Sequence, residues 1–268
     1  MGILNESLGI AGHEGNYQRS FDLWSGFNLG ELLVNPGLGT YLQERFANCP
    51  LFATGVSQNG NITYQDASAT IQGIATVLGG AQRFATPATD NKEAHLQCGA
   101  NVGAPFKIDS SAFRDLGYEA CFRVNQLAET ALYTGLGGVG FAAENALVDD
   151  TGALASNSFL GFHIPAHASE AKVDFVYRKA GQAMQTIAAD VHTCVAGTFL
   201  TAGFKLDRDS KKIYGYINGV EVGTLKYRDW GTGLFPDAVF LNSCRGIKSG
   251  EGVAKTADFL WVDSAQYR

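Results

Sequence analysis

Lys212-Ile213-Tyr214-Gly215-Tyr216-Ile217-Asn218-Gly219-Val220-Glu221-Val222-Gly223-Thr224-Leu225 is the stretch that decides the fold class. Two β-compatible runs flank Asn218-Gly219. An Asn-Gly pair supplies the two positive-φ residues of a type I′ turn, whose twist matches that of paired strands. The stretch therefore reads as a β-hairpin. Just before it, Phe204-Lys205-Leu206 leads into the polar turn Asp207-Arg208-Asp209-Ser210, which extends the hairpin to a three-stranded meander.

The same signature recurs outward from this point. Glu93-Ala94-His95-Leu96-Gln97-Cys98 alternates polar and apolar residues, and Tyr118, Ala120, Phe122 and Val124 alternate with Glu119, Cys121 and Arg123. Phe159 to Ile164 is an apolar run stopped by Pro165, and Val173, Phe175 and Tyr177 share one face. Side chains alternate across a strand, so each segment presents one face inward. Phe259-Leu260-Trp261-Val262 is apolar on both faces and reads as a central, covered strand. Short strands with frequent turns predict an all-β chain folded as an antiparallel two-sheet sandwich of the jelly-roll kind. Ala142 to Ala146 is a candidate helical turn, and Asp149-Asp150-Thr151-Gly152 a loop.

Residues 1–45 read differently. Phe21, Leu23, Trp24, Phe27 and Leu29 are too apolar for a solvated tail and follow neither a period of two nor one of 3.6. They fit an irregular N-terminal arm whose side chains anchor in a partner's pockets, with Trp among the strongest anchor types. Thr40 and Gln43 have capping-box spacing and suggest a short helix there. The expected division is an arm at 1–45 and a sandwich at 46–268.

Composition narrows the classes. Of 268 residues, 46% are hydrophobic and only 17% charged, while Gly is abundant at 33. That supplies a large core and many positive-φ turn positions. The formal charge of −6 argues against a nucleic-acid partner. No membrane-spanning run and no signal peptide are expected, since Asn5 and Glu6 interrupt the apolar start. The cysteines, Cys49, Cys98, Cys121, Cys194 and Cys244, are odd in number and show no CxxC, so free, buried thiols are expected.

Local motifs for chemistry are weak. Gly135-Leu136-Gly137-Gly138-Val139-Gly140 matches GxGxxG, but the strand-turn-helix context of a dinucleotide site is missing. It reads instead as a Gly-rich loop feeding a strand at Val139 to Ala142. His13-Glu14 begins like a zinc-protease motif, yet Tyr17 stands where the second His belongs, and Pro165 separates His163 from His167. Glycoside cleavage needs two acids on one face, roughly 5–10 Å apart. Glu170 and Asp174 have a strand spacing for it but carry Lys172 between them. Asn145, Asp149 and Asp150 read as a solvated turn rather than a calcium loop. Tyr214, Tyr216, Tyr227 and Trp230 read as packing rather than a sugar platform. The expectation is no enzyme, no cofactor and no metal.

Several pieces, in order, resemble a family of structural proteins encoded by tailed bacteriophages, with a concanavalin A-like sandwich. They are Asn35-Pro36-Gly37-Leu38-Gly39, Leu96-Gln97-Cys98-Gly99-Ala100-Asn101, Gly140 to Leu154, Phe159-Leu160-Gly161-Phe162, Val176-Tyr177-Arg178-Lys179-Ala180-Gly181 and the Asn218-Gly219 hairpin. The resemblance implies a non-enzymatic virion protein assembled in the host cytoplasm. Such a protein decorates the capsid surface by binding the major capsid protein and further copies of itself, for instance as a trimer. The hairpin is also similar to laminin-G and lectin domains, so the alternative is a carbohydrate-binding module of a phage fibre.

Overall fold

The computed structural model describes residues 19–46, 55–56, 61–74, 77, 80–98, 104–143, 145–155, 157–166, 169–230 and 233–268. Two short helices, α1 (Phe21–Trp24) and α2 (Leu29–Val34), come first. Strands follow as β1 (Gly39–Arg45), β2 (Gly55–Val56), β3 (Ile62–Gln65), β4 (Thr70–Ile74), β5 (Ala81–Ala85), β6 (Glu93–Gln97), β7 (Phe106–Ile108), β8 (Leu116–Val124) and β9 (Thr130–Gly138). The second half holds β10 (Phe159–Ile164), β11 (Lys172–Arg178), β12 (Gln185–Thr193), β13 (Leu200–Asp207), β14 (Lys212–Ile217), β15 (Val220–Lys226), β16 (Val239–Ser249) and β17 (Thr256–Tyr267).

These strands form two antiparallel sheets. Sheet I has 8 strands in the order β15-β14-β13-β8-β17-β5-β4, with β1 also on β17; sheet II has 9 in the order β12-β11-β10-β9-β16-β6-β3-β2, with β7 also on β16. The hairpin turns as read: Asn218 has φ 50° and Gly219 φ 78°, and Ile217 pairs with Val220. Strand β13 pairs with β14 on one side and β8 on the other, which completes and extends the meander. The alternating faces also hold, for Tyr118, Ala120, Phe122 and Val124 point into the inter-sheet core with Leu132, Phe162, Phe175, Phe204 and Phe259. Full burial of one such side chain contributes about 1.5–3 kcal/mol.

One charge sits within this core. Arg245 of β16 is fully buried, donating to Gln82 Oε1 at 2.9 and 2.6 Å and to Glu44 Oε2 at 2.7 Å. Burial alone disfavours its charge, but the Glu44 carboxylate outweighs that and holds the guanidinium pKa above its ordinary value. The ring centroids of Phe46, Phe84 and Phe259 lie 5.1, 5.9 and 5.6 Å from Arg245 Cζ.

Three local readings are corrected. Residues after Thr40 form no helix: β1 pairs with β17 from Gly39↔Tyr267 to Arg45↔Trp261, and that ladder outweighs a capping-box spacing. The sandwich accordingly takes in Gly39–Arg45. The Gly-rich run is not a loop before a strand but the end of strand β9, central in sheet II, and the chain leaves the sheet at Val139. Glycine is a weak strand former, but here the neighbouring backbone demands it. A Cβ on Gly135 would run into the Leu160 carbonyl oxygen and stand 2.8 Å from Gly161 Cα. Residues 142–146 take bends and turns rather than a helical turn, with residue 144 outside the described set.

Candidate functional site

A sandwich offers a ligand its two outer faces and its rim. The outer face of sheet I bears a row of buried carboxylates. Asp258 meets Arg83 at 2.6 Å and Arg123 at 2.8 Å, and Asp263 meets Arg19 at 2.6 Å and Arg45 at 2.9 Å. Between the edges of this row, α1 docks through Glu119. The Ser20 N–H donates to Glu119 Oε1 at 3.0 Å, the Ser20 hydroxyl donates to the same oxygen, and Trp24 Nε1 donates to Oε2 at 2.6 Å. Burial pushes the Glu119 carboxyl up to about 7, against the pull of these donors.

This docking places the five residues read as capsid anchors. Leu23 and Trp24 are buried with Leu32, Tyr216 and Ala265, with Phe27 and Leu29 packed against them. Phe27 stacks on Tyr267 at 5.6 Å. Phe21 alone of the five is turned to solvent, at 73% exposure. Residues 19–34 therefore cover their own sheet, and α2 presents two more exposed apolar side chains, Leu33 and Val34.

The outer face of sheet II is closed by the connection from β9 to β10. Phe141, Ala146, Leu147 and Leu154 pack on Tyr133, Phe159, Val176 and Cys244. Polar groups of β6 and β16 hold the connection down. Gln97 accepts from the Phe141 N–H at 2.8 Å, Glu93 accepts from the Asn145 N–H, and Lys248 donates to the Leu147 carbonyl at 2.8 Å. Lys248 also pairs with Glu93 at 3.3 Å and Asp149 at 2.5 Å. Although burial raises it, the Glu93 carboxyl is held below the usual range by His95, Asn145 and Lys248. Of the sequence's calcium candidates, Asp149 is thus an ion-pair partner, and Asp150 accepts from Asn91 at 2.9 Å through its side chain.

The remaining singled-out residues serve packing or turns. Tyr216 is buried under α1, and Trp230 stacks on Phe235 at 3.9 Å with Tyr227 and Phe113 beside it. Glu170 pairs with Lys172 at 3.1 Å, while Asp174 accepts from the Asp190 N–H at 2.8 Å. His163 is buried against the Gly152 carbonyl at 2.7 Å. Cys98, Cys121, Cys194 and Cys244 are free and buried. His13, Glu14, Tyr17, Cys49 and His167 lie outside the described residues.

Among the described residues the rim also offers a concavity. A cleft of about 450 Å3 lies where β7, β16 and the ends of β1 and β17 meet, lined by Thr40, Lys107, Arg114, Phe240, Gln266 and Tyr267 among others. Phe240 pairs with Lys107 in the β16–β7 ladder and is 56% exposed, and the Lys107 ammonium stands 5.5 Å from its ring centroid. Gln266 clamps Lys107 at both backbone groups, accepting from its N–H at 2.8 Å and donating to its carbonyl at 2.5 Å. The β16 residue and the β7 residue are thereby fixed against the C-terminal strand. Sequence reasoning passed over Phe240, Lys107, Arg114 and Gln266. Lys107 and Arg114 lie more than a hundred positions before Phe240 and Gln266, and no local spacing marks them.

The sequence matches no protein-family model and no curated protein. Solved structures show the fold. A protein of unknown function from Shewanella oneidensis MR-1 is similar over 89% of this chain and 93% of its own, at 14% identity and a TM-score of 0.53. Peanut lectin is similar over 85% and 98%, at 10% identity and 0.52. The catalytic domain of an endo-1,3-beta-glucanase (laminarinase) from Thermotoga petrophila RKU-1 is similar over 85% and 97%, at 9% identity and 0.53. The chain is an all-β, concanavalin A-like two-sheet sandwich. These likenesses support the sandwich part of the family resemblance.

They also correct one expectation. Missing motifs argued that the chain is no enzyme, yet the laminarinase domain carries catalysis on a similar sandwich. On a sheet, groups from distant strands meet through register, as Glu93 and Lys248 do here at 3.3 Å, so the lack of a local motif gives no ground for excluding catalysis.

Proposed function

We propose that the chain is a glycan-binding domain and that the rim cleft is its binding site. The observation that carries this reading is Phe240, a large aromatic side chain left more than half exposed inside a concavity that also holds hydroxyl, amide and cationic groups. Binding pockets combine an apolar wall with a few converging polar groups. A sugar ring matches that pattern, since its C–H face stacks on an aromatic ring and its hydroxyls reach Thr40 and Arg114. The fold is one on which a lectin is built. A glycan array probed with the intact protein, followed by calorimetry on the best hit, tests the reading. Phe240→Ala should abolish binding with the thermal transition unchanged. An array without hits, or a hit that Phe240→Ala leaves intact, rejects it.

A second reading rests on a different observation, the exposed apolar side chains Phe21, Leu33 and Val34 on the two short helices. On this reading the helices form the contact through which the domain decorates a phage capsid, binding the major capsid protein and further copies of itself. Co-sedimentation with capsids separates the two readings. Phe21→Ser with Leu33→Ser should release the protein from capsids if the helices make the contact, and should leave glycan binding untouched.

A further inference from the structure

The cleft has a charge character that the chain as a whole does not share. With 20 basic against 26 acidic residues the protein is net negative, at −6. Yet Lys107, Arg114 and Arg268 line the cleft, and no Asp or Glu does. Lys107 is partly balanced by Asp109, 2.6 Å away on the same strand's flank. Arg114 makes no ion pair among the described residues and is exposed. Elsewhere Arg19, Arg45, Arg83, Arg123 and Arg245 are paired with carboxylates, and Arg178 donates to the Leu154 carbonyl. Cations without a counter-charge in a concavity gather anions, because the low-dielectric walls focus their field. A guanidinium is the side chain best matched to a carboxylate or sulfate, which it holds through two parallel N–H donors.

We propose that the ligand is an acidic saccharide: a sugar ring lying on Phe240 whose anionic substituent is held by Arg114 and Lys107. This rests on the glycan reading of the same cleft. The arrangement divides the labour. The ring of Phe240 supplies a contact that any saccharide can make, while the cations select for the anionic ones. The Gln266 amide fixes the Lys107 backbone beside the ring, and the Lys107 ammonium, 2.6 Å from Asp109, is shared between that carboxylate and the bound anion. A carboxylate of a uronic acid and a sulfate ester satisfy the same chemistry.

Calorimetry on the full chain with four probes tests the proposal: an oligogalacturonate, a sulfated chondroitin fragment, a neutral glucan of the same length, and single-stranded DNA. The expected result is at least about tenfold tighter binding of one or both acidic saccharides than of the glucan, weakening between about 50 and about 500 mM salt as screening sets in. Arg114→Gln with Lys107→Gln should cancel that preference, so that the acidic saccharides and the glucan bind alike. The oligogalacturonate and chondroitin arms tell carboxylate from sulfate. Equal binding of acidic and neutral sugars, both lost in Phe240→Ala, overturns the acidic inference and keeps the glycan reading. DNA binding as tight as that of the acidic saccharides also overturns it, because the cleft then recognises charge alone. Binding of none of the probes overturns both.

Discussion

Replacing Gly135 by Ala, with Gly138→Ala as its control, discriminates between a glycine that belongs to a packed strand and one that belongs to a loop. Both residues sit in the GxGxxG-like run and both lie in β9 with negative φ, so neither substitution strains the backbone torsions. Their surroundings differ. At Gly135 the new methyl meets two backbone groups of β10, the Leu160 carbonyl and Gly161 Cα, plus the Phe159 ring at 3.0 Å. Backbone in the middle of a sheet cannot step aside, so the cost belongs at the upper end of overpacking, about 3 kcal/mol. The smaller entropy of an unfolded chain with Ala returns about 0.4–1 kcal/mol. The net loss is about 2–3 kcal/mol, or about 5–10 °C in Tm for a domain of this size. At Gly138 the nearest atom is Ser158 Cβ at 3.4 Å, an ordinary contact. Only the unfolded-state gain remains, so Gly138→Ala should be neutral or slightly stabilising. Urea titration followed by far-UV circular dichroism, with a thermal melt, reads both. Equal effects from the two variants, or wild-type stability in Gly135→Ala, would refute the packing argument.

Three further outcomes are expected. Gly219→Val should cost on the order of 1–3 kcal/mol, since Gly219 sits at φ 78° where a β-branched side chain clashes; an unchanged melt would show that the turn relaxes to another type. Glu119 titrates near 7 in the folded chain against 4.5 for the free side chain, so the fold favours its protonated form. Its stabilising contribution is complete below about pH 4.5 and lost as pH rises towards 7; Glu119→Gln should gain stability relative to wild type across that window, by up to about 3 kcal/mol, and parallel pH profiles would contradict this. Burial pushes the thiols of Cys98, Cys121 and Cys244 well up and that of Cys194 to about 12, so iodoacetamide should modify these four only after unfolding, read by intact mass.

Much of the architecture was legible because it is written in neighbours. The Asn218-Gly219 turn, the alternation in β8 and the apolar run of β10 are each set by contiguous residues, and each appears at the expected place. Failures occur where a distant strand decides. Thr40 and Gln43 hold helical spacing, but β17, more than two hundred positions away, recruits them into a ladder. Gly135 has poor strand propensity, but β10 leaves no room for anything larger. The arm residues looked unpartnered because their partner, Glu119 with its bare outer face, lies about a hundred positions on. The cleft is the extreme case: Phe240, Lys107, Arg114 and Gln266 come from β16, β7, the segment before β8, and β17, and nothing in any one segment announces the others.

The pairing of β1 with β17 has a mechanical and architectural consequence. Gly39 faces Tyr267, and the Arg268 N–H donates to the Leu38 carbonyl at 2.9 Å, so the start of β1 and the end of β17 are tied together at one spot. Tension applied between those two points loads the ladder one rung at a time, in peeling geometry, rather than shearing all rungs together.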